Sequence, residues 1–165
     1  MKELNNKIIE WAIDRGIDKK GTIEGQSIKT AEEIAELIKG ISKDNLDLIK
    51  DSIGDVYVTL VIGNMLHNNY DLEKIIKRVG DPAYIGDKKG LIVLLSSTIG
   101  NTIEDPYYSR TILWTVKKLM IVCKFYNLNF KDCVESAYKE IAERKGKMIN
   151  GTFVKEEDLK IEQSE

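Results

Sequence analysis

The sequence predicts a single all-α domain built as a helical bundle. Long segments with apolar residues at helical spacing make up most of its 165 residues, and only two prolines interrupt them. Capping residues and glycines separate these segments. One run, Ile92–Leu95, favours a strand by propensity, but no partner strand is visible, so we expect a helix there too.

Composition limits the class of protein. The chain is long enough for one domain with a real core, and 42% hydrophobic with 32% charged residues is typical of a soluble globular protein. A net charge of −2 predicts no nucleic-acid or membrane surface. No apolar run could span a bilayer, and residues 1–7 are not a signal peptide. Cys123 and Cys133 are expected to be reduced thiols of a cytoplasmic protein.

The expected helices follow from apolar periodicity and capping residues. The first covers residues 2–15 and is followed by a polar loop over residues 17–27, where Ser27 is expected to cap the next helix. Residues 1–150 form the domain, and residues 151–165 form a charged, loose tail. The other expected helices are an acidic helix that breaks near residues 40–44 and helices over residues 45–67, 72–79, 88–102, 107–126 and 130–145.

Candidate functional residues begin in the acidic helix. Ile34, Leu37, Ile38 and Ile41 recur at helical spacing and predict one buried stripe. Glu33 and Glu36 fall along one border of this stripe, whereas Glu32 points almost directly away from it.

The next helix adds two more acids. Its predicted core stripe is Leu46, Ile49, Ile53, Val56 and Leu60. Asp51 and Asp55 are four residues apart and share the opposite face. From residue 56 to residue 62 the helix is apolar nearly all round, so Asp55 stands where a helix enters the interior. A bare carboxylate there is costly without a compensating cation. Four acids from two antiparallel helices predict an oxygen-only site for Mg²⁺ or Mn²⁺.

These residues resemble a known family pattern. Glu32-Glu33-x-x-Glu36, followed by Asp51-Ser52-Ile53-Gly54-Asp55, is similar to the MazG-like nucleoside triphosphate pyrophosphohydrolases, an all-α group related to dimeric dUTPases and dCTPases. Two more segments fit, Gln26-x-x-Lys29 before the acidic helix and the run from Ala137 to Phe153, which contains Arg144-Lys145-Gly146-Lys147-Met148. The resemblance covers about residues 1–75 and 131–160.

The resemblance implies a hydrolase that acts on acid anhydrides and cleaves nucleoside triphosphates to monophosphate and pyrophosphate, in nucleotide-pool cleaning or in control of phage or host deoxynucleotides. It implies Mg²⁺, or Mn²⁺, as cofactor. The implied metal ligands are Glu33, Glu36, Asp51 and Asp55, and Glu32 would position the attacking water. The implied catalytic set is thus Glu32, Glu33, Glu36 and Asp55, and the substrate-binding set is Gln26, Lys29, Arg144, Lys145, Lys147 and Trp11.

Several of these residues have simpler interpretations. Lys29 can pair with Glu33 one turn later, and the basic residues after the last helix can complement its C-terminus. Trp11 lies at an apolar helix position, where an aromatic residue is more often core than a stacking platform for a base.

The chain departs from the family pattern in two places. The family's second motif is ExxD, and here its first position is Ser52. Either Asp51 or a water takes that coordination position, or the site is weakened. In addition, residues 76–130 are an expected helical insertion relative to short family members. Because neighbouring subunits often complete the pocket in this family, we expect a homodimer or tetramer.

Other classes fit less well. The only histidine, His67, rules out the two ExxH motifs of di-iron bundles, and no P-loop motif occurs. A non-catalytic bundle that binds a nucleotide or a partner protein through a degenerate metal site remains the alternative, and Ser52 favours it. The sequence does not indicate which base the substrate carries.

Overall fold

A computed structural model describes residues 1–83 and 86–156, which form eight helices and one antiparallel β-hairpin. The side chains of residues 147, 152 and 155 lie outside this description. The elements are α1 (Lys2–Asp14), α2 (Ile17–Lys20), α3 (Ile23–Ser42), α4 (Leu46–His67), α5 (Leu72–Val79), α6 (Lys88–Glu104), α7 (Ser109–Phe125), α8 (Phe130–Glu143), β1 (Gly146–Ile149) and β2 (Thr152–Lys155). The predicted all-α helical bundle is therefore confirmed.

The central element of the bundle is α4. Every residue from 56 to 64 is buried, and α1, α3, α7 and α8 all pack against this helix. Such a helix is apolar nearly all round because it has no solvent face along this stretch. Among the described residues, no helix is both long and apolar enough to cross a membrane.

Capping side chains set several helix starts where the sequence predicts them. Asn45 Oδ1 accepts a hydrogen bond from the Leu48 N–H at the start of α4, and Asp71 and Asn129 make the same three-residue contact at α5 and α8. Each cap satisfies an N–H group that the first turn of a helix leaves unpaired.

The predicted loop over residues 17–27 is wrong in two respects. Residues 17–20 form the short helix α2, and α3 begins at Ile23, before the predicted cap Ser27. The cap is Thr22, whose Oγ1 accepts from the Gly25 N–H at 3.0 Å. Ser27 lies inside the helix and is buried, and its hydroxyl donates to the Glu24 carbonyl. The acidic helix is therefore one turn longer than predicted.

The predicted core stripe of α4 is wrong at one position. Leu46 is 49% exposed, whereas Ile49, Ile53, Val56 and Leu60 are all buried. Leu46 is the first residue of the helix, before α4 has entered the bundle, so helical phase alone does not bury it.

The predicted loose tail from residue 151 is also incorrect in its first part. Residues 146–149 and 152–155 pair as antiparallel strands, and residues 157–165 lie outside the described structure. The turn between the strands is Asn150-Gly151, with φ of 48° and 83°. Asn-Gly is the strongest short hairpin signal because both turn residues need positive φ. The sequence thus contained a hairpin signal that the helical resemblance obscured.

Residues 76–130, the expected insertion, form part of the same bundle. α6 packs against α3 and α7, and α7 also contacts α4, α5 and α8. The connection from α6 to α7 carries Tyr107 into the core, where its hydroxyl lies 2.9 Å from Thr30 Oγ1. A Cβ at Gly63 would lie 2.0 Å from the Tyr107 ring, so this aromatic side chain requires a glycine on α4.

We expect Gly54→Ala to destabilise the protein by about 1–3 kcal/mol, as overpacking generally does. A Cβ at this position would lie 2.4 Å from the Cys133 carbonyl oxygen and 2.6 Å from Ala137 Cβ, so α8 would have to move away from α4. Gly100→Ala on α6 is the matched control, since its Cβ would meet nothing within 4 Å and helix propensity favours alanine. Chemical denaturation measures both changes. Equal stabilities would show that α4 and α8 do not depend on this close approach.

Candidate functional site

A cavity of about 100 Å³ lies where α1, α3, α4, α8 and β2 meet. It is lined by six residues that the sequence analysis selected: Trp11, Gln26, Lys29, Glu33, Asp55 and Arg144. These side chains come from α1, α3 and α4 and from the residue that follows α8. The tertiary structure therefore brings two carboxylates and two cations to one half-enclosed site.

Glu33 is the most buried acid of α3. It is 8% exposed, and its Oε1 lies 3.2 Å from Lys29 Nζ. The same ammonium group donates to Glu32 Oε2 at 2.9 Å. Burial lowers the pKa of Lys29, but the hydrogen bond to Glu32 and the negative charge of Glu33 outweigh this effect and raise it overall. Lys29 is thus a positive charge held against two acids one turn away.

Asp55 is the acid most strongly affected by its surroundings. It is half-buried on α4, and burial together with the charges of Glu33 and Asp51 raises its pKa from the ordinary 3.8 to about 7. Arg144 acts in the opposite direction and reduces this rise. Without an added cation, the Asp55 carboxyl therefore keeps its proton to a higher pH than an exposed aspartate does.

Further acids stand around the cavity. Burial and the charges of Glu140, Glu33 and Glu36 raise the pKa of Asp51, while Arg144 lowers it. Neither Asp51 nor Glu36 lines the cavity, and Glu36 lies 4.0 Å from Lys39 on the exposed side of α3. The acids from α3, α4 and α8 repel one another across the helix crossing, so they would gain from an additional cation.

Arg144 provides the cation of α8. Its guanidinium pairs with Glu140 one turn earlier. Burial lowers the pKa of Arg144, but this hydrogen bond and the charges of Asp55 and Glu33 raise it overall. Arg15 fixes the end of the helix, because its Nη2 donates to the Arg144 carbonyl at 2.9 Å and to the Ala142 carbonyl at 3.2 Å. The position of Arg144 therefore depends on α1.

Trp11 contributes an unpaired donor to the cavity. Its ring is 8% exposed, with the Arg15 guanidinium 4.7 Å from the ring centroid and Phe153 in edge contact at 5.6 Å. These contacts leave little of the ring available to stack a base. Its Nε1–H is buried and has no hydrogen-bond partner among the groups that the structure describes. A buried N–H without a partner is costly, so it marks a place where a ligand acceptor or a water fits.

Gln26 lies on α3 one turn before Lys29. Its Nε2 donates to the Thr59 carbonyl of α4 at 3.3 Å, and both residues line the cavity. The amide thus ties α3 to α4 and leaves its oxygen as an acceptor.

The other predicted site residues are less enclosed. Glu32 and Lys145 are exposed, and neither lines the cavity. The prediction for Lys147 lies outside the described side chains. Ser52, at the altered motif position, is 1% exposed, and within the described part of the chain its hydroxyl has no hydrogen-bond partner. Ser52 therefore points into the core, and Asp51 is the acid of this segment that remains near the site.

Sequence reasoning missed four contributors: Arg15, Thr59, Glu140 and Phe153. Glu140 and Phe153 fall within the segment that carried the family resemblance, so the resemblance could have pointed to them. Arg15 and Thr59 had no such signal, because their contacts are a carbonyl at the end of α8 and an amide on α3.

One relative matches nearly its full length. The chain is 31% identical over 158 residues, covering 83% of this chain and 97% of the relative, to an "Uncharacterized 18.2 kDa protein in rep-hol intergenic region" of Haemophilus phage HP1 (strain HP1c1). The chain belongs to the family of this phage protein. No protein-family model matches the chain, and no solved structure matches it significantly.

For this member of the phage family, the donor set can be compared with the needs of a metal ion. Among the described residues, no three acids, histidines or cysteines stand together as a complete ligand group. Mg²⁺ does not require one, because it commonly binds through one or two carboxylates and completes its shell with waters and substrate phosphates. Glu33 and Asp55 fit that requirement in both chemistry and position.

We expect Asp55→Asn to make the metal-free protein more stable at pH 8. The pKa of the Asp55 carboxyl is about 7 in the folded protein and close to the ordinary 3.8 in the unfolded chain. Between these two pH values the unfolded chain has lost the proton and the folded protein still binds it, so the free energy of unfolding falls as pH rises. Asparagine removes that cost, which is on the order of 2 kcal/mol after screening by solvent.

Urea unfolding with EDTA at several pH values measures this effect. Glu10→Gln, at an exposed position of α1, is the matched change of charge. If Asp55→Asn were less stable than the wild type at pH 8, burial and the neighbouring acids would not be destabilising the charged Asp55 carboxylate.

Proposed function

We propose that the protein is a metal-dependent nucleoside triphosphate pyrophosphohydrolase of the MazG-like type. The observation that carries this proposal is the cavity where Glu33 and Asp55 face Lys29 and Arg144. Phosphoryl chemistry needs charge neutralisation and orientation of a water more than covalent groups from the protein, and this set of side chains can supply both.

In this proposal the acidic side chains bind the metal ion and the basic side chains bind the phosphates. Glu33 and Asp55 would hold the ion, with Asp51 as the nearest further acid. Mg²⁺, or Mn²⁺, would neutralise the polyphosphate and polarise the phosphorus that is attacked. Lys29 and Arg144 would contact phosphate oxygens through charge-assisted hydrogen bonds.

Other residues of the chain would orient the substrate and the water. Glu32, exposed one turn from Lys29, would position the attacking water. The unpaired Trp11 N–H and the free oxygen of the Gln26 amide would meet polar groups of the nucleoside. Stacking of the base on Trp11 does not form part of this proposal, because Arg15 and Phe153 already pack against its ring.

We propose that a second subunit covers the substrate. A cavity of about 100 Å³ is smaller than the ~300–1,000 Å³ typical of small-molecule sites, so it encloses one end of a nucleoside triphosphate. Val93 and Ile103 of α6 expose 60% and 45% of their surface, which provides apolar area for helix contacts. The proposed setting is a cytoplasm, where nucleoside triphosphates are available and Cys123 and Cys133 can stay reduced.

Light scattering at tens of micromolar is expected to give the mass of a homodimer or tetramer, twice or four times 18.8 kDa. A monomer mass would contradict this part of the proposal without affecting the assignment of Glu33 and Asp55.

The activity is tested by pyrophosphate release from natural and modified nucleoside triphosphates with Mg²⁺ and with Mn²⁺. We expect Glu33→Gln and Asp55→Asn to lose at least ~10²-fold in turnover, because each removes a charged ligand worth several kcal/mol. Asp51→Asn should remove most of the activity as well.

Ser52→Ala is the internal control for the altered motif. The Ser52 hydroxyl is buried without a partner, so alanine should leave turnover nearly unchanged and stability equal or higher. Equal losses in Asp51→Asn and Ser52→Ala would mean that the assignment of Asp51 is wrong. A folded wild-type protein that binds nucleotides but releases no pyrophosphate would instead favour the binding-module alternative.

A further inference from the structure

A second cavity, of about 290 Å³, lies in the groove between the C-terminal half of α6 and the N-terminal half of α7. It shares no lining residue with the first cavity, which contains Glu33 and Asp55 and which we call the acidic cavity. Its charged residues are Lys118, Arg110 and Asp105, and its aromatic residue is Trp114. We call it the basic groove.

Lys118 is the main charged group of the basic groove. Its Nζ donates to Thr98 Oγ1 at 2.8 Å and to Ser97 Oγ at 3.2 Å. Both hydroxyls donate their own hydrogens to the Leu94 carbonyl, so they accept from the ammonium group. An ammonium has three N–H donors, and these bonds use two of them. The third donor remains available.

No acid balances Lys118. Among the described residues, neither Lys118 nor Arg110 forms an ion pair. Burial alone lowers the pKa of Lys118, which agrees with an ammonium that is bonded only to neutral oxygens. A half-buried cation without a counter-ion is costly, and a bound anion would remove that cost.

The charges of the lining favour an anion. Lys118 and Arg110 are its cations, and Asp105 at the end of α6 is its carboxylate. Lys117 does not line the groove, but its ammonium lies 4.8 Å from the centroid of the Trp114 ring and adds positive charge nearby. The lining therefore carries a surplus of one positive charge, which a bound anion would balance.

Polar and aromatic groups complete the groove. Thr98 and Thr115 are each 1% exposed and are among the lining residues. Trp114 is 49% exposed, which is unusual for so large an apolar side chain. The first turn of α7 also lacks a side-chain cap, so its N–H groups remain available to an acceptor.

We propose that the basic groove binds a small phosphate-bearing molecule, with its phosphate on Lys118 and Arg110 and its body against Trp114. The cavity is close to the lower limit of ~300 Å³ for small-molecule sites, which fits a ligand the size of a monophosphate. This site is independent of the proposed pyrophosphohydrolase activity, because it uses different helices and needs no metal ion.

Tryptophan fluorescence can distinguish the two cavities. The chain has two tryptophans, one in each cavity, so Trp11→Phe leaves Trp114 as the reporter of the basic groove. The probes are inorganic phosphate, adenosine monophosphate and uncharged adenosine, at constant ionic strength with EDTA. We expect a saturable change with adenosine monophosphate and with phosphate, and a much weaker response to adenosine.

Matched variants test the assignment of the cations. Lys118→Met should weaken binding of adenosine monophosphate at least ~10-fold, because it removes a charge-assisted hydrogen bond. Lys19→Met, an exposed lysine of α2, removes the same charge from elsewhere and should leave binding unchanged. Calorimetry on the protein with both tryptophans, with and without Lys118→Met, repeats the comparison if Trp11→Phe does not fold.

Three results would overturn the proposal. The first is the absence of both a fluorescence change and heat at millimolar adenosine monophosphate. The second is equal weakening by Lys118→Met and Lys19→Met, which would indicate diffuse attraction of charge. The third is a metal-free response of Trp11 alone in the Trp114→Phe protein, which would place the anion in the acidic cavity.

Discussion

The burial of α4 on all sides is the constraint on which the rest of the structure depends. Four other helices must cover this element, so they cannot spread apart, and α8 approaches so closely that Gly54 has no room for a Cβ. Asp51 and Asp55 are the acids at the point where α4 enters this interior. Their carboxylates consequently face α3 and α8 at close range, where bulk water screens their charges less than at an open surface.

The acidic cavity follows from that constraint. Burial and like charge raise the pKa of Asp55 to about 7, and the Arg144 cation offsets only part of the repulsion. Such an arrangement lowers stability, because these carboxylates would be better solvated in the unfolded chain. A cation bound at this helix crossing would reduce the repulsion among the acids and recover part of the lost stability. This stability cost is the physical basis for proposing metal-dependent chemistry rather than a structural salt-bridge network.

The α6–α7 pair has two roles in the fold. Tyr107, in its connecting segment, packs on Gly63 of α4 and thereby joins the pair to the centre of the bundle. Further from the centre, the two helices separate enough to leave a groove lined by hydroxyl groups and cations. The same pair of helices therefore completes the core and lines a second cavity, in which cations outnumber carboxylates.

The sequence by itself determined every described helix except α2, and it singled out Glu33 and Asp55, which line the cavity. Caps such as Asn45 and Asp71 act within one turn, and helical phase places Asp51 and Asp55 on one face, so neither needs distant contacts. Only the tertiary structure decided which residues meet. Arg15 at the end of α8, the covered ring of Trp11 and the unbalanced Lys118 all depend on contacts between helices. Helical phase specifies which way a side chain points, whereas the distance and angle at which two helices cross specify which groups that side chain contacts.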